Sequence, residues 1–430
     1  MKIAIIGGAG VRTPLLVQGL TRAKLPITDI ALFDVDRARL SLIAPLAQKL
    51  SEGVQVSRCE SPVGCLEGAS FVFISIRVGG IAQRARDEQT AMSFGIIGQE
   101  TVGPAGFAMA MRTIPHVVEY ARLVEQHAPD AWIINFTNPV GIVTQAVRTA
   151  TSAKIIGICD TPTELFEKTA HALGVPSAEC YFDYFGLNHL GWLREVYRNG
   201  RPQLHKLWRS PDRLPSVYGV PLFEPEFLCA LRLLPTEYLY YYYCSDNAYE
   251  NVRRSGRSRG MVIEQLNENL FRSLATPGTD AVAAYDAYLA ERSAGYMRIE
   301  CGNVPAVTTV RSELTGYDKI ALAVVQAIHA NSGAIVPLNV VNRGNLPELE
   351  HDDVVEVPCV ISANGALPLH VGPVPSQVRD LLIQTKDYER RTVYAALSAD
   401  TEAAVDALAR NPFVADRALA GRLAHALLAA

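Results

Sequence analysis

Through the first 160 residues, short apolar runs alternate with longer amphipathic stretches. The runs KIAIIGG (2–8), DIALFDVD (29–36), FVFISI (71–76), AWIINFTNP (131–139) and AKIIGICD (153–160) have few polar interruptions. That is the pattern of strands buried on both faces of a parallel sheet. Between them, PLLVQGLTRA and RTIPHVVEYARLVEQHAP repeat apolar residues at helical spacing. The alternation predicts an α/β fold: an N-terminal, Rossmann-like, doubly wound parallel sheet. From about residue 181 the texture changes. YFGLNHLGWLREVYRNGRPQL (184–204) predicts strands, His189 among them, with a hairpin turn at Asn199-Gly200. A tyrosine-rich stretch, a polar helix near 261–274, further strands in AIVPLNVVNRG and DDVVEVPCVIS, and an Ala-rich helical tail follow. The pattern divides into residues 1–180, a dinucleotide-binding domain, and 181–430, a mixed α/β domain packed tightly on it.

Composition narrows the partners. With 430 residues, 49% hydrophobic, the chain can bury a large core. A net charge of −4 argues against nucleic acid as the main partner. No apolar run is long enough to span a membrane, and MKIAIIGGAG reads as a strand entering a glycine turn rather than a secretion signal. Eight cysteines without a CxxC pair suit reduced thiols in the cytoplasm.

IAIIGGAGVRTP combines a strand, a glycine turn and a helix start. Gly8 and Gly10 allow close backbone approach to a pyrophosphate, and Val11, Arg12 and Thr13 open the helix whose N-terminus would face it. Thr13 stands where the usual fingerprint has its third glycine. Asp34, ending the second strand, is placed to accept hydrogen bonds from an adenosine ribose, which favours NAD over NADP. The competing reading is a glycine turn selected only for strand–helix packing.

Ligands in such sheets sit beyond the carboxyl ends of the strands. Arg77, Asn138, Cys159 and Asp160 all reach that edge. A thiol beside a carboxylate, with His189 further on, could hold a divalent metal and leave positions open for substrate oxygens. Spacing alone equally allows Cys159 to be a small buried hydrophobe and His189 a hydrogen-bonded core histidine.

IGGAGVRTP, RVGG followed by ARDE, GIIGQETVGPAGFAMAMRTIP, FTNPVGIVT, GICDTP, GLNHLGW, LPTEYLYYYY and NPFV occur in this order. Together they resemble glycoside hydrolase family 4, the NAD- and divalent-metal-dependent glycosidases, and its 6-phospho-β-glucosidase branch in particular. The resemblance spans nearly the whole chain. It implies a fold like that of lactate and malate dehydrogenases and makes Cys159 and His189 the ligands of a metal, usually Mn²⁺. It implies hydrolysis without the usual pair of catalytic carboxylates: oxidation at sugar C3 by NAD, loss of the C2 proton, elimination of the aglycone, addition of water and return of the hydride. The base falls on Tyr238, with Tyr241 an alternative register in the tyrosine run. Asp160 becomes either the acid that protonates the leaving oxygen or an orienter of the metal. Arg84, Asn138 and Arg259 become ligands of a phosphorylated sugar, and family members are usually homodimers or homotetramers. Ser93 occupies a position that usually carries lysine in the family, which leaves an unphosphorylated sugar open, as the shared site leaves an α-linked one. Outside the family, the alternatives are a 2-hydroxy-acid NAD dehydrogenase and a non-catalytic NAD sensor.

Overall fold

A computed structural model describes residues 1–23, 25–302 and 316–429. Six strands, β1 (Lys2–Ile6), β2 (Asp29–Phe33), β3 (Gln55–Arg58), β4 (Ala69–Ile74), β5 (Trp132–Asn135) and β6 (Ile155–Gly157), form a parallel sheet in the order β3-β2-β1-β4-β5-β6. This is the strand order of dinucleotide-binding folds. The apolar runs are explained by burial on both sides. Ile3 and Ile5 of β1 enter one apolar cluster, and Ala4 and Ile6 enter another on the opposite face. Each fully buried Ile, Leu or Phe in these layers contributes about 1.5–3 kcal/mol.

Strands β7 (Cys180–Leu187), β8 (Leu190–Arg198), β9 (Arg201–Pro202) and β10 (Leu234–Pro235) make a second, antiparallel sheet. Asn199 (φ 51) and Gly200 (φ 70) turn β8 into β9, as expected of that dipeptide. His189 is not in a strand. It lies with Asn188 in the two-residue connection between β7 and β8, at φ 63. The sequence pattern hid this turn because apolar residues flank it on both sides, and only the left-handed backbone marks it.

The last strands, β11 (Ala334–Val341), β12 (Val354–Ser362) and β13 (Gly365–Pro368), do not form a sheet of their own. They extend the first sheet antiparallel beyond β6, giving nine strands drawn from both sides of residue 180. Asn339 of β11 pairs with Gly157 of β6 and with Glu356 of β12. One apolar cluster runs through both halves, from Ile3 and Phe73 to Trp192, Leu338 and Val357. This joint core fixes the hairpin β7–β8 against the carboxyl edge of the parallel sheet. Among the described residues, no helix is long and apolar enough to cross a membrane.

Candidate active site

The glycine turn is built around Asp34, just past β2. Its Oδ2 accepts the Ala9 amide at 2.9 Å and its Oδ1 accepts the Asp36 amide at 2.9 Å. Burial raises the carboxyl, and these backbone bonds oppose the rise. Gly8 also serves packing, since a Cβ there would lie 2.9 Å from Leu32 Cβ. Gly10 is exposed at the crest of the turn. Val11 offers its carbonyl to Tyr285, Arg12 is the N-cap residue, and Thr13 begins the helix Thr13–Arg22. No side chain caps that helix. A crest without side chains, uncapped N-terminal amides and a half-buried carboxylate together fit a dinucleotide.

Across the sheet edge, Cys159 lies two residues past β6 and is 7% exposed. His189, 4% exposed, stacks on Tyr238 with ring centroids 3.6 Å apart and planes 3° from parallel. Burial drives the imidazole down to about 3, against the pull of Glu100, so His189 is neutral. Its buried Nδ1 has no hydrogen-bond partner, an unusual arrangement that asks for a ligand. The Cys159 thiol is pushed well up by burial first, then by Glu356 and Asp160. Tyr238 packs against His189, and the Cys159 thiol acts on its phenol through space. Among the described residues no group of three or more His, Cys, Asp or Glu side chains forms a metal cage. Cys159 and His189 offer one sulfur and one nitrogen, a donor set that would suit an ion with its other positions open to oxygen donors.

The structure separates the two candidate tyrosines. Tyr241 is 2% exposed, and its hydroxyl donates to Glu300 Oε1 at 3.3 Å. Tyr238 is half-buried in the short turn Glu237–Leu239 and faces His189. Burial, then Glu100 and Glu237, hold its phenol well above the ordinary value, which makes it a strong base but a reluctant anion. Asp160 is the N-cap residue of the helix Thr161–Leu173, yet its side chain makes no capping hydrogen bond. It lies beside Glu164, whose carboxyl is raised to about 7 by burial and then by Asp160 and Glu237.

Arg84 is buried and paired with Glu88 at 2.7 Å and Glu100 at 2.8 Å. Glu88 also accepts the Gly260 amide at 2.6 Å, so one carboxylate draws ARDE and SGRSRG together. Arg259 opens the helix Arg259–Ala275 and donates to the Gly295 carbonyl at 3.0 Å and the Arg292 carbonyl at 2.6 Å. Asn138 is half-buried beyond β5, before Pro139. Ser93 is exposed at the end of the helix Gly80–Ser93 and bonds back to the Thr90 carbonyl.

Two further carboxylates were given no role by the sequence, although Glu100 lies inside the GIIGQETVG stretch. Glu100 binds Arg77 at 2.5 Å as well as Arg84; burial would raise its carboxyl, but the two guanidinium groups outweigh that and lower it. It exerts its charge on both His189 and Tyr238. Glu356, 1% exposed, accepts from Tyr184 at 2.7 Å, Asn339 at 2.8 Å and Asn188 at 3.3 Å. It thereby ties the residue before His189 to β11 and β12. Gly191 makes room for this, because a Cβ there would meet Tyr184 Oη at 1.9 Å. A lone carboxylate inside the apolar run VVEVPCVIS was the available signal.

Fold and side chains thus define a dinucleotide-fold protein with a metal-competent thiol and imidazole at its ligand edge. Comparison with known proteins bears on the fold and the family. The model for family 4 glycosyl hydrolase matches residues 2–175, and that for the family 4 glycosyl hydrolase C-terminal domain matches 184–414. A probable 6-phospho-beta-glucosidase of Bacillus subtilis is 29% identical over 447 aligned positions, covering 100% of this chain and 96% of that protein. The 6-phospho-beta-glucosidase of Thermotoga maritima, solved with manganese, NAD+ and glucose-6-phosphate, is similar with TM-score 0.84 and 25% identity, covering 100% and 98% of the two chains. A 6-phospho-alpha-glucosidase from gut microorganisms, solved with NAD and glucose-6-phosphate, gives TM-score 0.83 and 26% identity, covering 100% and 97%. The chain belongs to glycosyl hydrolase family 4.

Proposed function

We propose that this glycosidase hydrolyses 6-phospho-β-glucosides, using NAD and a divalent ion, usually Mn²⁺. The reaction would run through transient oxidation at sugar C3, loss of the C2 proton, elimination of the aglycone and addition of water. The observation that carries this reading is the His189–Tyr238 ring stack within reach of Cys159. When bound, NAD and the ion supply a reversible hydride acceptor and a Lewis acid.

The protein's own residues would then act as follows. Gly8, Gly10, Val11, Arg12 and Thr13 hold the dinucleotide phosphates, and Asp34 keeps the turn in shape while facing the ribose. Cys159 and His189 ligate the ion. Tyr238 takes the C2 proton. Its raised phenol means that positive charge from the bound ion and oxidised nicotinamide must offset the burial and the carboxylates before it works at neutral pH. Asp160, with no capping duty, is free to hand a proton to the leaving oxygen. Arg84, Asn138 and Arg259 would orient the sugar and its phosphate. In this reading residues 1–180 carry the cofactor, and residues 181–430 supply sugar contacts and the surfaces of a homodimer or homotetramer.

One specific pair of observations favours a second reading, an unphosphorylated glucoside: Ser93 is exposed, and Arg84 is already engaged by Glu88 and Glu100. A panel of α- and β-linked p-nitrophenyl glucosides, with and without 6-phosphate, decides between them in the presence of NAD, Mn²⁺ and a thiol. Equal rates on the β-glucoside and its 6-phosphate would remove phosphate from the assignment, and faster release from the α-anomer would reverse the anomeric choice.

A further inference from the structure

The helix Ala281–Ala294 presents one stripe to the glycine turn. Tyr285, Tyr288 and Arg292 recur at helical spacing of three and four residues, so they share a face. Tyr285 donates to the Val11 carbonyl at 2.7 Å. Tyr288 donates to Asn267 at 2.8 Å, and its ring stacks against that of Tyr285. Both rings pack with Leu15, from the helix after the glycine turn, and with Ile263 and Leu266 of the helix Arg259–Ala275. The stripe therefore clamps the second half of the chain onto the cofactor turn.

Arg292 ends this stripe. Its Nη1 donates to the Tyr288 hydroxyl at 2.9 Å, and its carbonyl receives Arg259. Among the described residues neither Arg259 nor Arg292 forms an ion pair, in contrast to neighbouring Arg84, which has two. Burial lowers Arg292 to about 10, and the charges of Arg12 and Arg259 add to the effect. Burial also lowers Arg259, with Arg84 adding to the effect against the pull of Glu300. Two partly desolvated guanidinium groups converge without a carboxylate of their own. Hydrogen bonds to neutral carbonyl and hydroxyl oxygens fix their direction, while the carboxylates Glu300, for Arg259, and Glu100, for Arg292, act through space without pairing with them.

We propose that Arg292 is a phosphate-recognition residue, acting with Arg259 on a phosphate bound where the helix Ala281–Ala294 closes on the glycine turn. A phosphate ester suits the forked donors and would neutralise both groups. Two sources share that chemistry: the pyrophosphate of the dinucleotide and the 6-phosphate of the sugar. The sugar source rests on the proposed phosphoglucosidase activity; the dinucleotide source does not.

The test uses the full-length protein and its Arg292→Gln and Arg292→Lys variants, with calorimetric titration of NAD alone, then of glucose 6-phosphate and glucose in the presence of NAD and Mn²⁺. Arg292→Gln should weaken one phosphate-bearing ligand at least about tenfold, while glucose affinity and the melting temperature stay unchanged. Weakening of NAD alone assigns the residue to the dinucleotide, and weakening of glucose 6-phosphate alone assigns it to the sugar. Arg292→Lys, which keeps the charge but loses the fork, should weaken the same ligand by about threefold; it carries the test if the glutamine variant does not fold. Unchanged affinity of either folded variant for both phosphate ligands overturns the inference. If the wild-type protein binds glucose and glucose 6-phosphate equally, the phosphoglucosidase reading fails, and Arg292 stands or falls on the NAD titration.

Discussion

His189 and Tyr238 stack face to face at 3.6 Å, joining a hairpin of the second sheet to the turn that opens the tyrosine run. The contact fixes both the imidazole and the phenol. It leaves Nδ1 of His189 buried and unpartnered, and it sets the phenol beside the groups expected to hold the ion. Of five tyrosines in six positions, the alternative candidate Tyr241 instead directs its hydroxyl to Glu300, which favours Tyr238 in the proposed role.

Tyr238→Phe should therefore lower kcat by about 10²–10⁴-fold, the range for a lost general base. Binding of NAD and of Mn²⁺ should change little. Tyr241→Phe should retain most activity. Steady-state kinetics on an aryl phosphoglucoside checks both, and a Tyr241 variant as inactive as the Tyr238 variant contradicts the assignment.

Cys159→Ser and His189→Ala each remove a proposed ligand. Loss of groups that merely orient ligands costs about 10–100-fold in metal affinity, so loss of a ligand should cost more. Titration of chelator-treated protein with Mn²⁺ reads this directly. Wild-type affinity in both variants would place the ion elsewhere.

Glu100 neutralises Arg77 and Arg84 at once. Glu100→Gln leaves two guanidinium groups near the site without their shared counter-charge, and breaking such a pair costs about 3–5 kcal/mol when buried. Chemical denaturation should show a loss of that order. Activity should fall as well, since the charge acting on Tyr238 and His189 is gone. Unchanged stability would show that Glu88 alone suffices to compensate Arg84.

Glu356 gives a dependence on pH. Its carboxyl is raised from 4.5 to about 7 by burial, against three hydrogen bonds that favour the anion. Between those values the folded protein holds a proton that the unfolded chain has released. Stability from this group is therefore greatest at low pH, falls as pH rises toward about 7, and levels off above it. The full change is on the order of 3 kcal/mol. In metal- and cofactor-free protein, Glu356→Gln should flatten the decline in melting temperature between pH 5 and pH 7 relative to wild type. Parallel curves would exclude the effect.

Much of this was legible in the sequence. Strands buried on both faces announce themselves as uninterrupted apolar runs, and five of the six parallel strands follow from them; β3, QVSR at the sheet edge, is only partly buried and gave no such run. The glycine turn was legible because its backbone chemistry is local, whereas the bonds from Asp34 to the Ala9 and Asp36 amides were not foreseen. What was not legible depends on contacts distant in sequence. β11 and β12 read as strands, whereas the four-residue β13 went unread, and nothing in AIVPLNVVNRG says that β11 pairs with β6, more than 170 residues earlier. His189 read as a strand residue because its turn is framed by leucines. Glu100 stands inside the quoted GIIGQETVG stretch without being singled out there, and Glu356 and Arg292 carry no motif of their own; the meaning of all three comes from the partners that folding brings to them.

The most direct test is release of p-nitrophenol from p-nitrophenyl β-D-glucoside 6-phosphate by protein stripped of NAD and metal, then supplied with neither, each, or both. The account predicts sustained release only with NAD and Mn²⁺ together, and none above background from the Cys159→Ser variant. Full turnover by the stripped protein, or by the protein with metal alone, would contradict it.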